Sequence, residues 1–273
     1  MIKMKKFLQL SVFLLAVGIL SACDNQNGTK VSDSIQSTNE TNLKTAENDT
    51  KTVLSYVYEG KHAGVEKVTK QKAAENDEFL ISKLVEKQNE QFKANGNEND
   101  YYLIIDGSEY FAKEIVEDYV QAYLDKTKEI GYDSDVKVEE INEDEVKVTA
   151  TITPIAGLSE ANPIGQARTE LFGGLDEEEF IRKSQNKDVK TIQNLITLKL
   201  YAMYYGDMAY SPEKSSKTKK VNFTMKKDDS RYTVDEDILF HLAKESRDQT
   251  YANSSSTSNS TNTLNSSMDE DFF

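Results

Sequence analysis

The chain has 273 residues, with 33 lysines and arginines against 47 aspartates and glutamates, for a formal net charge of −14. A surface this acidic repels nucleic-acid phosphate and anionic lipid headgroups, so nucleic acid is excluded as an expected partner. A single cysteine, Cys23, rules out an intrachain disulfide and leaves a lone thiol to be modified, paired with another chain or left free.

The chain starts Met-Ile-Lys-Met-Lys-Lys, followed by an apolar stretch from Phe7 to Ala22 broken only by Gln9, Ser11, Gly18 and Ser21. As a helix this stretch would be roughly 24 Å long, short of a hydrocarbon core of about 30 Å. A basic start, a short apolar run and small residues at its end describe an export signal over residues 1–22. The run closes in Leu20-Ser21-Ala22-Cys23, which resembles the lipobox of bacterial prolipoproteins. The resemblance implies a diacylglyceryl group on the Cys23 thiol, cleavage between Ala22 and Cys23, and an address on the outer face of the plasma membrane. Removing residues 1–22 would leave 30 basic against 47 acidic residues. Charge would not hold such a body at a membrane; two acyl chains would, at about 0.8 kcal/mol per buried methylene. Asp24, directly after the cysteine, resembles an inner-membrane retention signal. Leu15 to Ala22 resembles, in apolar character only, the octapeptide pheromones that some lipoprotein signal peptides release.

Residues 23–50 are almost all polar, with Val31, Ile35 and Leu43 isolated, and are expected to form a flexible tether. Its random-coil reach would be roughly 30 Å. A Ser/Asn/Thr-rich stretch over 246–273 is expected to be disordered in the same way. Between them, residues 51–245 are long enough for one medium domain or two small ones.

Within that body, Val53 to Tyr58 is read as a strand, with Val65 to Thr69 as its partner. Leu80, Leu84, Val85 and Phe92 are spaced for a helix that Asn95-Gly96 ends. Ser108 is read as an N-cap, opening a helix whose buried face is Phe111, Ile115, Tyr119, Tyr123 and Ile130, up to Gly131. Val136 and Val138 begin a strand, Asn142 to Glu145 turns, and Val146, Val148, Ala150 and Ile152 alternate with polar residues as a half-buried strand. Asn162-Pro163 opens a short helix that ends at Gly173-Gly174, and Asp176 caps the next, with Glu177, Glu178 and Glu179 in its first turn. Asp188 to Tyr205 is a strongly apolar helix, Val221 to Met225 and Tyr232 to Val234 form a hairpin, and a last helix runs from Asp235 to Lys244.

Helices followed by antiparallel hairpins indicate an α+β fold rather than a doubly wound parallel sheet. The order repeats, suggesting two related helix-plus-hairpin halves, 51–158 and 159–245. This pattern is similar to the cystatin-like helix-on-sheet modules of Gram-positive lipoproteins. The stretches Tyr56-Val57-Tyr58-Glu59-Gly60 and Lys67-Val68-Thr69-Lys70-Gln71 resemble the mature start of another small lipoprotein group. Neither resemblance implies an activity.

Candidate chemistry is sparse. There are two histidines, His62 in a glycine-flanked turn and His241 in the last helix. A lipid on Cys23 would remove the only thiol from nucleophilic chemistry, and no nucleophile-elbow sequence is present. Asp133-Ser134-Asp135 and Glu139 to Glu145 are acidic but lack the ligand spacing and central glycine of a calcium loop. No catalytic, metal or cofactor-binding residue is assigned. Tyr201, Tyr204, Tyr205 and Tyr210 bunch around Gly206, either as a packed helix end or as a recognition face for a peptide, sugar or protein. The sequence therefore points to a membrane-anchored, non-enzymatic binding module, with an envelope protein, a peptide or the cell wall as its partner. The alternatives are a cell-envelope hydrolase or a signal peptide that serves as a pheromone source.

Overall fold

The computed structural model describes residues 29–93, 101–156, 163–184, 188–206 and 214–248. Residues up to Glu40 and the body from Thr41 onward are separate units. Helix α1, Thr29–Glu59, begins in the first, and its later turns belong to the body.

The expected strand at 53–58 and tether at 41–50 are both part of this helix. Ala46, Asp49, Thr50, Val53, Leu54 and Val57 recur at helical spacing and are buried, as are Tyr56 and Tyr58. Val53 to Tyr58 is apolar on every side but one, so period alone cannot separate a buried strand from a buried helix. The polar residues before it decide the matter through distant partners. Asp49 accepts hydrogen bonds from the Arg231 guanidinium (2.7 Å) and the Tyr232 backbone N–H (2.8 Å), and the Thr50 hydroxyl donates to the Met225 sulfur (3.1 Å). Val65 to Thr69, the expected partner strand, is the short helix α2.

Helix α3, Ala73–Lys93, is followed by a two-stranded hairpin of β1, Tyr102–Ile105, and β2, Ser108–Phe111. Asp106 and Gly107 at its tip both have positive φ, 50° and 79°. That is the conformation a two-residue Asp-Gly hairpin turn requires. Ser108 is therefore a strand residue, not the expected N-cap. Helix α4, Ala112–Thr127, starts four residues later, and the Glu114 carboxylate accepts from the Phe111 N–H (2.9 Å). It ends before Gly131, but Ile115, Tyr119 and Tyr123 are buried as expected.

Strands β3, Lys137–Asn142, and β4, Glu145–Ile152, are followed by helices α5, Pro163–Phe172, α6, Glu177–Lys183, and α7, Val189–Gly206. Asp176 caps α6 by accepting from the Glu179 N–H (2.7 Å). Strands β5, Lys219–Asp228, and β6, Arg231–Thr233, precede helix α8, Glu236–Lys244, whose cap Asp235 accepts from the Ile238 N–H (3.0 Å).

The larger sheet is antiparallel in the order β3-β4-β5-β6. Val146, Val148, Ala150 and Ile152 of β4 are buried, as are Val221, Phe223 and Met225 of β5, with Val148 opposite Phe223. The fold is α+β. Across the expected boundary at 158, β4 pairs along its whole length with β5, so the residues of the two expected halves share one sheet. Ser246 to Asp248, expected in the disordered tail, are buried and close on the body: Ile155 N–H donates to Ser246 O (2.8 Å) and Asp248 N–H to Ile155 O (2.9 Å). Residues 249–273 lie outside the described residues.

Candidate functional site

Leu20, Ser21, Ala22 and Cys23, the residues with the most specific expectation, lie outside the described residues, as does Tyr210. Among the described residues no helix is long and apolar enough to cross a membrane.

The tyrosine cluster is interior. Tyr119 and Tyr123 of α4 pack against Tyr201 and Tyr205 of α7, with ring centroids 5.9 to 6.4 Å apart across the helix pair. All four are buried, and so is Tyr204. The Arg247 guanidinium lies 4.3 Å from the Tyr201 ring centroid and donates to its hydroxyl. The hydroxyls of Tyr58 and Tyr123 donate to the Leu242 and Ala243 carbonyls at the end of α8, where backbone acceptors lack intrahelical partners. Burial pushes the Tyr58, Tyr123 and Tyr205 phenols well above their ordinary range. The recognition-face reading of Tyr201, Tyr204 and Tyr205 is therefore set aside; these side chains cannot touch a partner.

His62 is exposed beside the Tyr56 ring, 6.1 Å between centroids. His241 Nδ1 faces Glu245 at 3.9 Å on the same helix. Among the described residues no group of three or more His, Cys, Asp or Glu side chains is placed to hold a metal ion. The acidic run at Glu139 to Glu145 is an exposed hairpin whose turn is held by Asn142, accepting from the Asp144 N–H (2.9 Å).

Two open grooves flank α4. On the α7 side, Asp118, Gln121, Asp125 and Lys199 border a volume of about 740 Å³. Its polar groups satisfy one another: Lys199 pairs with Asp118 at 3.0 Å and Gln121 donates to Asp125 at 3.2 Å. On the α3 side a groove of about 840 Å³ is different. Ile81 and Val85 of α3 form a half-buried apolar floor, and Asp77, Glu78, Glu86 and Glu117 supply a rim of carboxylates. Asp77 is committed, accepting from the Tyr56 hydroxyl (2.7 Å) and lying 3.5 Å from Lys128. Asn89 also lines this groove; the residue is 6% exposed, and its side-chain oxygen has no hydrogen-bond partner. The size is within the range of ligand-binding clefts, and an apolar floor with a few convergent polar groups is their usual composition.

Sequence reasoning missed this groove. The helical spacing of Leu80 and Leu84 was readable, but the carboxylates of α3 and Glu117 of α4 converge only once the two helices pack.

Compared with protein-family models, the chain matches none, and no curated protein matches it. Among solved structures it is similar to ycdA of Bacillus subtilis subsp. subtilis str. 168, a protein assigned to the lipoproteins whose crystal structure is at 2.62 Å resolution. The identity is 17%, the match covers 79% of this chain and 59% of that chain, and the TM-score is 0.48. This chain thus spans less than two thirds of the Bacillus protein's length, and a likeness at this TM-score decides nothing about what this protein does.

Proposed function

We propose that the protein is an extracytoplasmic lipoprotein, anchored at the outer face of the plasma membrane by a diacylglyceryl group on Cys23, whose folded body is a non-enzymatic binding module. The observation that carries the anchor is Leu20-Ser21-Ala22-Cys23 placed at the end of a basic-then-apolar export signal, with Cys23 the only thiol in the chain. The acidic, floor-and-rim groove between α3 and α4 supports the binding role, because it offers an apolar floor bordered by carboxylates.

Feeding cells a labelled palmitate tests the anchor. The wild-type chain should carry label and its mature form should start at Cys23, while Cys23→Ala should be unlabelled and shed from the membrane fraction. A wild-type product that is unlabelled, or that starts at another residue, overturns the anchor.

A further inference from the structure

We propose that residues 246–248 form a releasable strap, which opens while the rest of the body stays folded and whose Arg247 plugs a guanidinium site in the tyrosine core between α4 and α7. The inference is independent of the lipid anchor and of the α3–α4 groove.

The plug is a charge at a place where an apolar side chain would fill the same space. Arg247 is buried, and its guanidinium lies against the Tyr201 ring and donates to the Tyr201 hydroxyl. A guanidinium stays charged at every working pH, and taking it out of water is costly. An apolar residue of similar volume often stabilises a core more. That cost is relieved when the strap opens, because Arg247 then returns to water. A charged plug therefore narrows the free-energy gap between the closed and open states.

The attachments are local. Beyond α8, the main chain of the strap bonds to Ile155, which accepts from the Asp248 N–H (2.9 Å) and donates to Ser246 O (2.8 Å). Ile155 lies outside the named strands and meets Arg247 in an isolated bridge, so opening leaves the four-stranded sheet intact. The Ser215 hydroxyl adds one bond to the Asp248 carboxylate.

What remains is held separately. The Tyr58 and Tyr123 hydroxyls grip the Leu242 and Ala243 carbonyls, so the end of α8 stays docked when 246–248 leave. Tyr119, Tyr123, Tyr201 and Tyr205 pack on one another, with the Tyr201 and Tyr205 centroids 5.5 Å apart, so the α4–α7 contact does not depend on the plug. While the strap is closed these rings meet no ligand. With it open, the Tyr201 face and hydroxyl are vacated together, and they match a planar cation that donates N–H groups.

Native-state hydrogen exchange of the full chain tests the strap. The Ile155 and Asp248 amides should exchange about tenfold or more faster than the amides of β4, at a rate that low urea barely changes, which marks local opening. Equal rates with equal urea dependence would mean that the strap opens only with global unfolding, and would overturn the proposal.

Arg247→Ala tests the site, read as a thermal midpoint. The variant should remain folded, with a lower midpoint than the wild type. Ethylguanidinium should raise that midpoint and ethylammonium at equal concentration should not, while the wild type responds to neither. The double variant Arg247→Ala, Tyr201→Leu should lose this preference. An Arg247→Ala chain that does not fold, equal responses to the two cations, or a preference that survives loss of the Tyr201 ring would each sink the idea.

Discussion

Helix α4 packs on α7 through Tyr119 and Tyr123 and borders α3 with Glu117, and the two sides differ in what they bury and what they leave exposed. On the α7 side rings bury one another, and two of the core phenols, Tyr58 and Tyr123, are consumed by carbonyls at the end of α8. On the α3 side Glu78 and Glu117 stand exposed at the rim of a groove. An aromatic cluster in a sequence looks like a recognition surface, and a run of glutamates on a helix looks like a solvated face. Here the tyrosines hold the fold together, while the acidic helix face borders the opening.

Raising the pH should separate the two sides most strongly. The Tyr58, Tyr123 and Tyr205 phenols are held above their ordinary range by burial, so the folded state keeps protons that the unfolded chain releases near pH 10. Their contribution is fully present below about pH 10 and is lost as pH rises beyond it, by about 1.4 kcal/mol per pH unit for each tyrosine and about 4 kcal/mol per unit for the three together. Tyrosinate absorbance from these three should therefore appear together with loss of far-UV circular dichroism. If they titrate in a chain that retains native dichroism, the cluster is open to water and the comparison fails.

Replacing Arg247 comes next. It is 1% exposed and packed on the Tyr201 ring. Arg247→Ala should cost about 3–5 kcal/mol, from the cavity and the lost buried hydrogen bonds, read as a lower urea midpoint. Arg247→Lys should recover only part of this, because an ammonium lacks the planar stacking surface. A neutral Arg247→Ala would mean that the 246–248 segment is not a working part of the core.

Asp49→Asn should have a smaller effect, about 1–3 kcal/mol, because asparagine retains one acceptor for the Tyr232 N–H but loses the charge that faces Arg231. An unchanged midpoint would return this part of α1 to the role of a tether. Smallest of all, Glu78→Gln should shift stability by no more than about 0.5 kcal/mol, because Glu78 is exposed and makes no ion pair among the described residues. A large loss there would make the two sides of α4 alike.

Several elements were legible because their signals are local. The apolar face of α7, the alternation of β4, and the Asp176 and Asp235 caps each rest on residues within a few positions of one another. The β1–β2 hairpin also has a local signal, Asp106-Gly107 between Tyr102 to Ile105 and Ser108 to Phe111, which competes with the reading of Ser108 as a cap. The later turns of α1 were not legible. Asp49 and Thr50 look like linker residues until Arg231, Tyr232 and Met225, far along the chain, arrive beside them.

By itself the sequence determined the α+β class, the positions of most helices and strands, and the export and lipobox pattern that motivates the anchor. Only tertiary packing decided that Val53 to Tyr58 is helical, that β4 and β5 join the two apparent halves into one sheet, and that the tyrosines face inward. The physical reason is range. Caps, turns and periodicity depend on neighbours in the chain, whereas the burial of a polar side chain, or the convergence of Glu78, Glu117 and Asn89 on one groove, depends on which distant element supplies or withholds a partner.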